Sequence, residues 1–555
     1  MKKLCFELLR DWCDGLISLQ LRGIGDPTID GAFHCRACKV LHGRCPDAVY
    51  PLIYMYKETR DDKYLNAAKA VFDWGENMVC DDGAVFNDSQ NEWKGISVFA
   101  AVAICEALIC GKELLDPQTV QRWEKRLLGL GEWCYENLTE DCSANINYPV
   151  TNTFAMELLG RYFGRGDFTA KAKELADYSM SKITENGFLV GEKTRDAIPL
   201  GCSPIDISYN MEESLPSLVK YAKLKGDEAL LDKLADILLK QLDFMLPDGA
   251  WDNSFGSRNN KWTYYGSRTS DGCAPAYVLL ADRNPAFMEA ARRNIELTKA
   301  CTYDGLLYGG PHYRRHGEHA CTHHTFEHAN ALACVLEHLE GDYGRTDIPC
   351  DNAEGTKYYP EVNTYKIASG DYRATVTGYD FGVEFGNHVS GGTLTMLWKY
   401  GVGPMIAGSV IGYRITEPHN YQLTKATKTH RSLVPRLEAK KDGVLYTTAY
   451  FTSPKMTECG NTVTAISGLA DKNLNRIKND TDRTLTYSLT ENGIKISISG
   501  ANESNFVLPL IAGELELLCG QADRCEEIFF LTGGFIAKEY TIIPDKDGRI
   551  ELIIR

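Results

Sequence analysis

The segment FAMELLGRYFGRGDFTAKAKELADYSMSKITENGFLV (154–190) contains the pattern that decides the fold of the first 340 residues. Apolar residues recur at i, i+3, i+4 and i+7 on both sides of the polar turn GRGDF (164–168), which predicts two amphipathic helices joined by a short turn. A second turn, NGFLV (186–190), contains a glycine and ends in apolar residues. The segment is therefore predicted to be a helical hairpin.

The same two turns recur along residues 1 to about 340, and like turns are roughly 50 to 60 residues apart. Counterparts of the first turn are TRDDKYL (59–65), KGDEAL (225–230) and ADRNPAF (281–287). Counterparts of the second turn are DGAVF (82–86), DGAW (248–251) and DGLLYG (304–309). A single hairpin cannot bury its apolar face without neighbours. We therefore expect six helical hairpins to close into an α/α toroid over residues 1–345, with an open solenoid as the alternative.

The sequence pattern changes from helical to β-rich near residue 355. Short β-rich runs such as YRATVTGYDFGVEF, RTLTYSLT and GIKISIS are separated by Gly, Asn and Asp turns. Many short strands without helices predict a C-terminal antiparallel β-sandwich over residues 355–555. The fold class is thus α+β multidomain, with a linker between the two parts. We expect the sandwich to wall the cleft or to support a homodimer.

Charge and hydropathy exclude several classes of partner. A net charge of −15 argues against nucleic acid and anionic membranes, because binding them requires a positive surface. No run reaches the roughly 20 apolar residues of a membrane-spanning helix. Charged residues interrupt the opening segment MKKLCFELLRDWCDG, which predicts a protein without a secretory signal, located in the cytoplasm. We expect its nineteen cysteines to be mostly reduced thiols.

The segment HCRACKVLHGRCPDAVYP (34–51) combines thiols, imidazole and guanidinium. A C-x2-C-x3-H-x2-C arrangement is formed by Cys35, Cys38, His42 and Cys45. These residue types can hold structural zinc, but they can equally be buried side chains in a folded loop. His42 and Arg44 are predicted to bind the carboxylate of a substrate, since guanidinium offers two parallel donors. For catalysis we predict neither a metal nor a cofactor.

Two helix starts carry polar side chains that could face a sugar. ANINYPVTNTFAMELLG (144–160) places Asn147 at the opening of an apolar helix, as a substrate-binding amide or as a simple helix cap. PIDISYNMEESLPSL (204–218) places Tyr209 and Glu213 four residues apart, on one helical face. We predict catalytic roles for Tyr209 and Glu213, with a solvated acidic helix start as the alternative.

The segment PDGAWDNSFGSRNNKWTYYGSRTSDG (247–272) holds many aromatic rings and charges but few aliphatic residues. Asp252 is predicted to be catalytic. Trp262 and Tyr265 are predicted to stack on pyranose rings, and Arg258 and Arg268 to bind a carboxylate.

Six of the twelve histidines lie in GGPHYRRHGEHACTHHTFEHANALA (309–333). His324 is predicted to transfer protons and His312 to bind substrate. His324 and His328 are four residues apart, a spacing that metal ligands also use, but the HExxH order is absent.

Several of these motifs resemble known families of carbohydrate-active enzymes. The helix with Asn147, the helix with Tyr209 and GVGPMIAGS (401–409) resemble heparinase II/III-type polysaccharide lyases. HGRCPDAVYP (42–51), WDNSFGSRNNKWTYYGSRTSDG (251–272) and HHTFEHA (323–329) look closer to glycoside hydrolase family 154, which is associated with β-glucuronidase activity. The rhamnose–glucuronate lyases of polysaccharide lyase family 27 are similar too. Each resemblance implies a toroid-plus-sandwich enzyme and an acidic oligosaccharide substrate containing glucuronic acid.

Two reactions remain open, besides a non-catalytic sugar-binding role. The first is exo-acting hydrolysis of a terminal β-glucuronide, which needs an acid and a base such as Glu213 and Asp252. The alternative is β-elimination by a uronate lyase, in which Asn147, Arg258 or Arg268 neutralises the substrate carboxylate. Tyr209 or a histidine such as His324 would then move the proton. We expect the hydrolase.

Overall fold

A computed structural model describes residues 1–555 except 89–90, 143–144, 193–196, 260–271, 342, 384–388, 409–432 and 531–533. Twelve helices of the described part alternate between an outer and an inner layer. The outer helices are α1 (Lys2–Ser18), α3 (Asp62–Gly75), α5 (Pro117–Asn137), α7 (Gly166–Ser181), α9 (Glu228–Gln241) and α11 (Pro285–Ala300). The inner helices are α2 (Val49–Thr59), α4 (Ser97–Gly111), α6 (Asn147–Phe163), α8 (Leu215–Lys225), α10 (Ala274–Leu279) and α12 (Thr322–His338).

The inner helices form a closed ring. Each one packs against the next, and α12 packs back against α2, while α1 covers both. The predicted α/α toroid is therefore confirmed, and the solenoid alternative is wrong. Because every inner helix follows an outer one, the inner helices run in the same direction and their N-termini gather at one end of the ring. Helix α4 is buried on nearly all sides, which explains its apolar sequence.

The repeated glycine turns have a common structural cause. After each of four outer helices the chain makes a tight antiparallel turn, seen in the bridges between Val79 and Val85, Ile183 and Leu189, and Met245 and Trp251, and in the strand pair Thr302–Tyr303 with Leu306–Leu307. The glycines of these turns, Gly83, Gly187, Gly249 and Gly305, have φ between 72° and 87°. Other residues rarely adopt that conformation, so the DG and NG pairs mark the passage from an outer to an inner helix.

The described residues of the C-terminal part form three large antiparallel sheets, and the predicted sandwich is confirmed. The first has the order Gly355–Tyr359, Thr364–Ser369, Tyr372–Thr377, Thr393–Lys399, Gly403–Ala407. The second has the order Lys455–Cys459, Thr462–Ser467, Arg483–Thr490, Gly493–Ser499, Ile550–Ile554, Leu515–Cys519. The third has the order Val444–Thr447, Arg436–Lys441, Asn505–Leu510, Phe535–Ile543, Gln521–Phe530. Their inner faces share one apolar core.

The toroid and the sandwich are joined by more than the chain between α12 and the strand at Gly355. A strand from a toroid loop, Ala197–Pro199, pairs antiparallel with Phe381–Val383 of the sandwich. Apolar side chains of the sandwich, such as Trp398 and Phe535, belong to the same buried cluster as the toroid core. In the described residues, no helix has the length and apolar character needed to cross a bilayer.

Candidate active site

A buried polar cluster lies where the N-terminal ends of α6 and α8 meet the loops of the toroid. We call it the Asn147 cluster; its members are Asn147, Glu192, Tyr209, Glu213 and Arg258. None of these side chains is more than 4% exposed. Burying polar groups costs free energy unless they form hydrogen bonds with each other or with a bound ligand.

Asn147 donates hydrogen bonds to two carboxylates, one from its backbone and one from its side chain. Its backbone N–H donates to Glu192 Oε1 at 3.0 Å, and its Nδ2 donates to Glu213 Oε1 at 2.5 Å. Its side chain does not cap α6, since the N-cap residue is Ile146. Among the described residues, Asn147 Oδ1 is buried without a hydrogen-bond partner. The contact with Glu213 fixes the orientation of the Asn147 side-chain amide, and the second Nδ2 hydrogen can be donated to a ligand.

Tyr209 and Glu213 lie on an irregular helix start. The short helix Ile207–Tyr209 is capped by Asp206, whose Oδ1 accepts from the Tyr209 N–H at 3.0 Å. It continues through a π-helical turn, Asn210–Ser214, into α8. Such single π-turns are rare and occur frequently at functional sites. This turn brings Glu213 to Asn147.

Arg258 reaches the cluster from the loop that follows α9. The left-handed backbone of Gly256, with φ 108°, allows Ser257 to bond to Ile205 and to the carbonyl oxygen of Glu192. The Arg258 guanidinium then lies 4.3 Å above the centre of the Tyr209 ring, and its Nη1 is 3.4 Å from Glu192 Oε2. One cation therefore contacts both the phenol ring and a buried carboxylate.

Glu192 has an unusual acidity. Burial raises the pKa of its carboxyl group from 4.5 to about 7, although Arg258 and the Asn147 N–H act in the opposite direction. Its charge therefore changes near neutral pH. No sequence pattern indicated Glu192, because it lies in a loop and comes to the cluster only through the fold.

A second buried polar group surrounds Arg44, at the N-terminal end of α12. Arg44 pairs with Asp47 at 2.7 Å and with Glu327 at 2.5 Å, and its guanidinium lies 4.0 Å above the Phe99 ring. Arg44 thus contacts two carboxylates of the protein itself, and its contact with a substrate stays a prediction.

The histidines of α12 lie beside Arg44. His323 packs against His42, with ring centroids 5.1 Å apart, and burial together with Arg44 holds the pKa of His323 well below its usual range. His324 is fully buried and packs edge-to-face on His328. The structure therefore brings His42, Arg44 and His324 together at one end of the ring.

Aromatic rings connect the two polar groups. Phe99, below Arg44, contacts Tyr148, the residue after Asn147, and Trp93 donates its Nε1 hydrogen to Tyr148 Oη at 2.8 Å. Trp93 and Tyr148 are partly exposed. Half-exposed rings beside a polar cluster suit contact with a sugar face. No sequence pattern indicates Trp93, because it stands alone in a polar loop.

Two predicted residues are placed at the junction between toroid and sandwich. Asp252 accepts from Thr375 Oγ1 and from Ser254 Oγ, and its Oδ2 lies 3.1 Å from Lys366 Nζ. His312 Nδ1 accepts from the Ile536 N–H at 2.9 Å. Asp252 is fully buried among these groups, whereas His312 is partly exposed. Trp262, Tyr265 and Arg268 lie outside the described residues.

Comparisons with known proteins identify the family. The Ulvan lyase N-terminal domain family matches residues 9–347, and the Ulvan lyase C-terminal domain family matches residues 356–523. A broad-specificity ulvan lyase from Formosa agariphila is 38% identical over 540 residues, covering 93% of this chain and 84% of that protein.

The solved structures that match this chain have lower sequence identity to it. The heparan sulfate lyase HepC from Pedobacter heparinus is 12% identical, with a TM-score of 0.46, over 99% of this chain and 82% of that one. A sugar epimerase from a ruminal bacterium is 14% identical, with a TM-score of 0.44, over 61% of this chain and 100% of that one.

These matches correct the expected family. The assignment to glycoside hydrolase family 154 is wrong, because both parts of the chain match ulvan lyase domains and a relative of that kind aligns over most of the chain. The chain belongs to the ulvan lyase family.

Proposed function

We propose that this protein is a uronate polysaccharide lyase that cleaves ulvan by β-elimination. The observation that carries the proposal is the Asn147 cluster, in which Glu192 contacts both Asn147 and the Arg258 guanidinium, and that guanidinium lies over the Tyr209 ring. The 38% identical ulvan lyase supports the choice of substrate. The alternative reaction considered from the sequence thus replaces the hydrolase.

The cluster supplies the groups that β-elimination requires. The proton α to the uronate carboxylate is acidic only when the carboxylate charge is neutralised. Asn147 Nδ2 and the Arg258 guanidinium can donate to that carboxylate. As the phenolate, Tyr209 takes the proton from C5, the C4–O bond to the next sugar breaks as the C4–C5 double bond forms, and the Tyr209 hydroxyl returns the proton to the leaving oxygen.

Arg258 supports the role of Tyr209 in this reaction. Its positive charge lies over the Tyr209 ring, where it attracts the negative charge of the phenolate that takes the proton. Tyr209 rather than His324 moves the proton in this proposal, because Tyr209 lies in the same cluster as Asn147. Trp93 and Tyr148 are proposed to contact a neighbouring sugar.

A hydrolase would need a different arrangement. Glycoside hydrolysis uses two carboxyl groups that flank the scissile bond, one as acid and one as base or nucleophile. Glu213 accepts a hydrogen bond from Asn147, while Asp252 is bound to Thr375, Ser254 and Lys366 at the junction with the sandwich. These contacts disfavour the expected pairing of Glu213 with Asp252.

The products distinguish the two reactions directly. Incubation with ulvan should yield oligosaccharides with an unsaturated terminal uronate, detected by near-ultraviolet absorbance and by masses lower by one water than hydrolytic products. A chromogenic β-glucuronide, which tests for exo-acting hydrolysis, should remain intact. Release of saturated glucuronic acid without new absorbance would overturn the lyase proposal.

Binding of the acidic substrate should weaken as the pH rises through about 7. Below this value Glu192 is protonated and does not compete for Arg258; above it Glu192 ionises and neutralises the guanidinium. The Michaelis constant for ulvan should therefore rise several-fold across neutral pH. The isosteric Glu192→Gln variant should keep the low value throughout, as steady-state kinetics at a series of pH values can measure. An equal rise in the variant and the wild type would exclude Glu192 as the cause.

A further inference from the structure

We propose that Cys35, Cys38, His42 and Cys321 bind a structural zinc ion. Their ligand atoms, three Sγ and one imidazole nitrogen, all lie within 4.8 Å of one another. All four side chains are buried, with at most 7% of their surface exposed. Three cysteines and one histidine form one of the common sets of structural zinc ligands.

The distances fit a tetrahedral ion. Ligand atoms about 2.3 Å from a common centre, at tetrahedral angles, are about 3.8 Å apart. Cys321 Sγ lies 3.8 Å from Cys35 Sγ, 3.5 Å from Cys38 Sγ and 3.8 Å from His42 Nε2. The four groups therefore stand at the corners of a site of the right size, and only small shifts are needed to coordinate the ion.

The turn between the first two cysteines is shaped for this role. The Cys38 N–H points at Cys35 Sγ at 3.4 Å, and the Lys39 N–H donates to the Cys35 carbonyl oxygen at 2.9 Å. Lys39 has a left-handed backbone, with φ 57°. Backbone N–H groups directed at sulfur stabilise thiolate, the form that binds metal.

The fourth ligand differs from the one that the sequence spacing indicated. Cys45 is buried in the main toroid core, whereas Cys35, Cys38 and Cys321 form a separate small cluster. Cys321 comes from the N-cap of α12, 283 residues after Cys38. All four corners are occupied by protein groups, so the ion would have no open position for substrate and would act structurally.

The site would join the two ends of the toroid. It links the loop between α1 and α2 to the start of α12, where the ring closes. It also borders the catalytic end of the ring, because His42 packs on His323 and Arg44 pairs with Glu327 of the same helix. Zinc would therefore fix the first turn of α12 against α2. This inference is independent of the proposed reaction.

Metal analysis of the purified full-length chain tests the proposal. Protein expressed with added zinc and purified under reducing conditions should contain one zinc ion per chain, measured by inductively coupled plasma mass spectrometry. Cys321→Ala should lose this zinc. Cys45→Ala is the matched control, since it removes a buried thiol from the same loop outside the cluster, and it should retain the ion.

A spectroscopic readout on the wild type does not depend on the folding of any variant. Exchange of zinc for Co²⁺ should give the visible and near-ultraviolet bands of tetrahedral thiolate coordination. The proposal is overturned if wild-type protein neither contains zinc nor gives these bands with Co²⁺, if Cys321→Ala retains as much zinc as Cys45→Ala, or if Cys38 and Cys321 form a disulfide under reducing conditions.

Discussion

Tyr209→Phe should lower the turnover number for ulvan by about 10²- to 10⁴-fold, the usual contribution of a general acid or base. The variant removes only the phenol oxygen and keeps the ring beneath Arg258, so the Michaelis constant should change little. The initial rate of unsaturated product formation measures this effect. Circular dichroism should be unchanged.

Tyr221→Phe provides the matched control for this experiment. Tyr221 is buried on α8, the helix that continues from Tyr209, but it belongs to the apolar core of the toroid. Its loss of a hydroxyl should leave the turnover number unchanged. If Tyr209→Phe retained full turnover, the proton would have to be moved by another group, and the histidines of α12 would become the first candidates.

Asp252→Ala should destabilise the protein by about 3–5 kcal/mol, the usual cost of breaking a buried ion pair from one side. The substitution leaves Lys366, whose side chain is only 16% exposed, without its carboxylate, and it removes the acceptor of Thr375. The midpoint of thermal unfolding should fall markedly. At a temperature where the variant is folded, its turnover number should be close to that of the wild type.

A double variant separates the ion pair from other effects at this position. Asp252→Ala combined with Lys366→Met removes both charges and should recover part of the lost stability, because no unpaired charge remains in the junction. A catalytic Asp252 predicts the opposite pattern: Asp252→Asn would then abolish turnover and leave the unfolding midpoint almost unchanged.

The sequence was sufficient to predict the fold because the toroid is built from local signals. The glycines at 83, 187, 249 and 305 mark the return of the chain to the inner layer, and the apolar spacing marks the helices between them. Such signals lie within a few residues of each other, so they can be read without knowing the tertiary structure. The alternating β-rich runs after residue 355 are equally local.

The site was predictable only in part, because its geometry comes from residues distant in sequence. Residue type, together with a place at a helix start or in an aromatic loop, indicates Asn147, Tyr209 and Arg258 as candidates. Glu192 carries no local signal, and the sequence spacing indicates Cys45 in place of Cys321, since only closure of the ring brings Cys321 to Cys38. The sequence does not decide between the two reactions for a chemical reason: hydrolases and lyases of uronates use the same residue types, and their pairing in space distinguishes them.

The contact between α1 and α12 has a consequence for synthesis of the chain. About 300 residues separate these helices, and closing a loop of that length costs about 5 kcal/mol of chain entropy before the contact forms. During synthesis on the ribosome, α1 and α2 emerge long before α12. Their apolar faces therefore stay unpaired until residues beyond 320 have been made. A chain that stops before α12 would keep those faces open to water, which makes early termination in this gene a route to aggregation rather than to a smaller working enzyme.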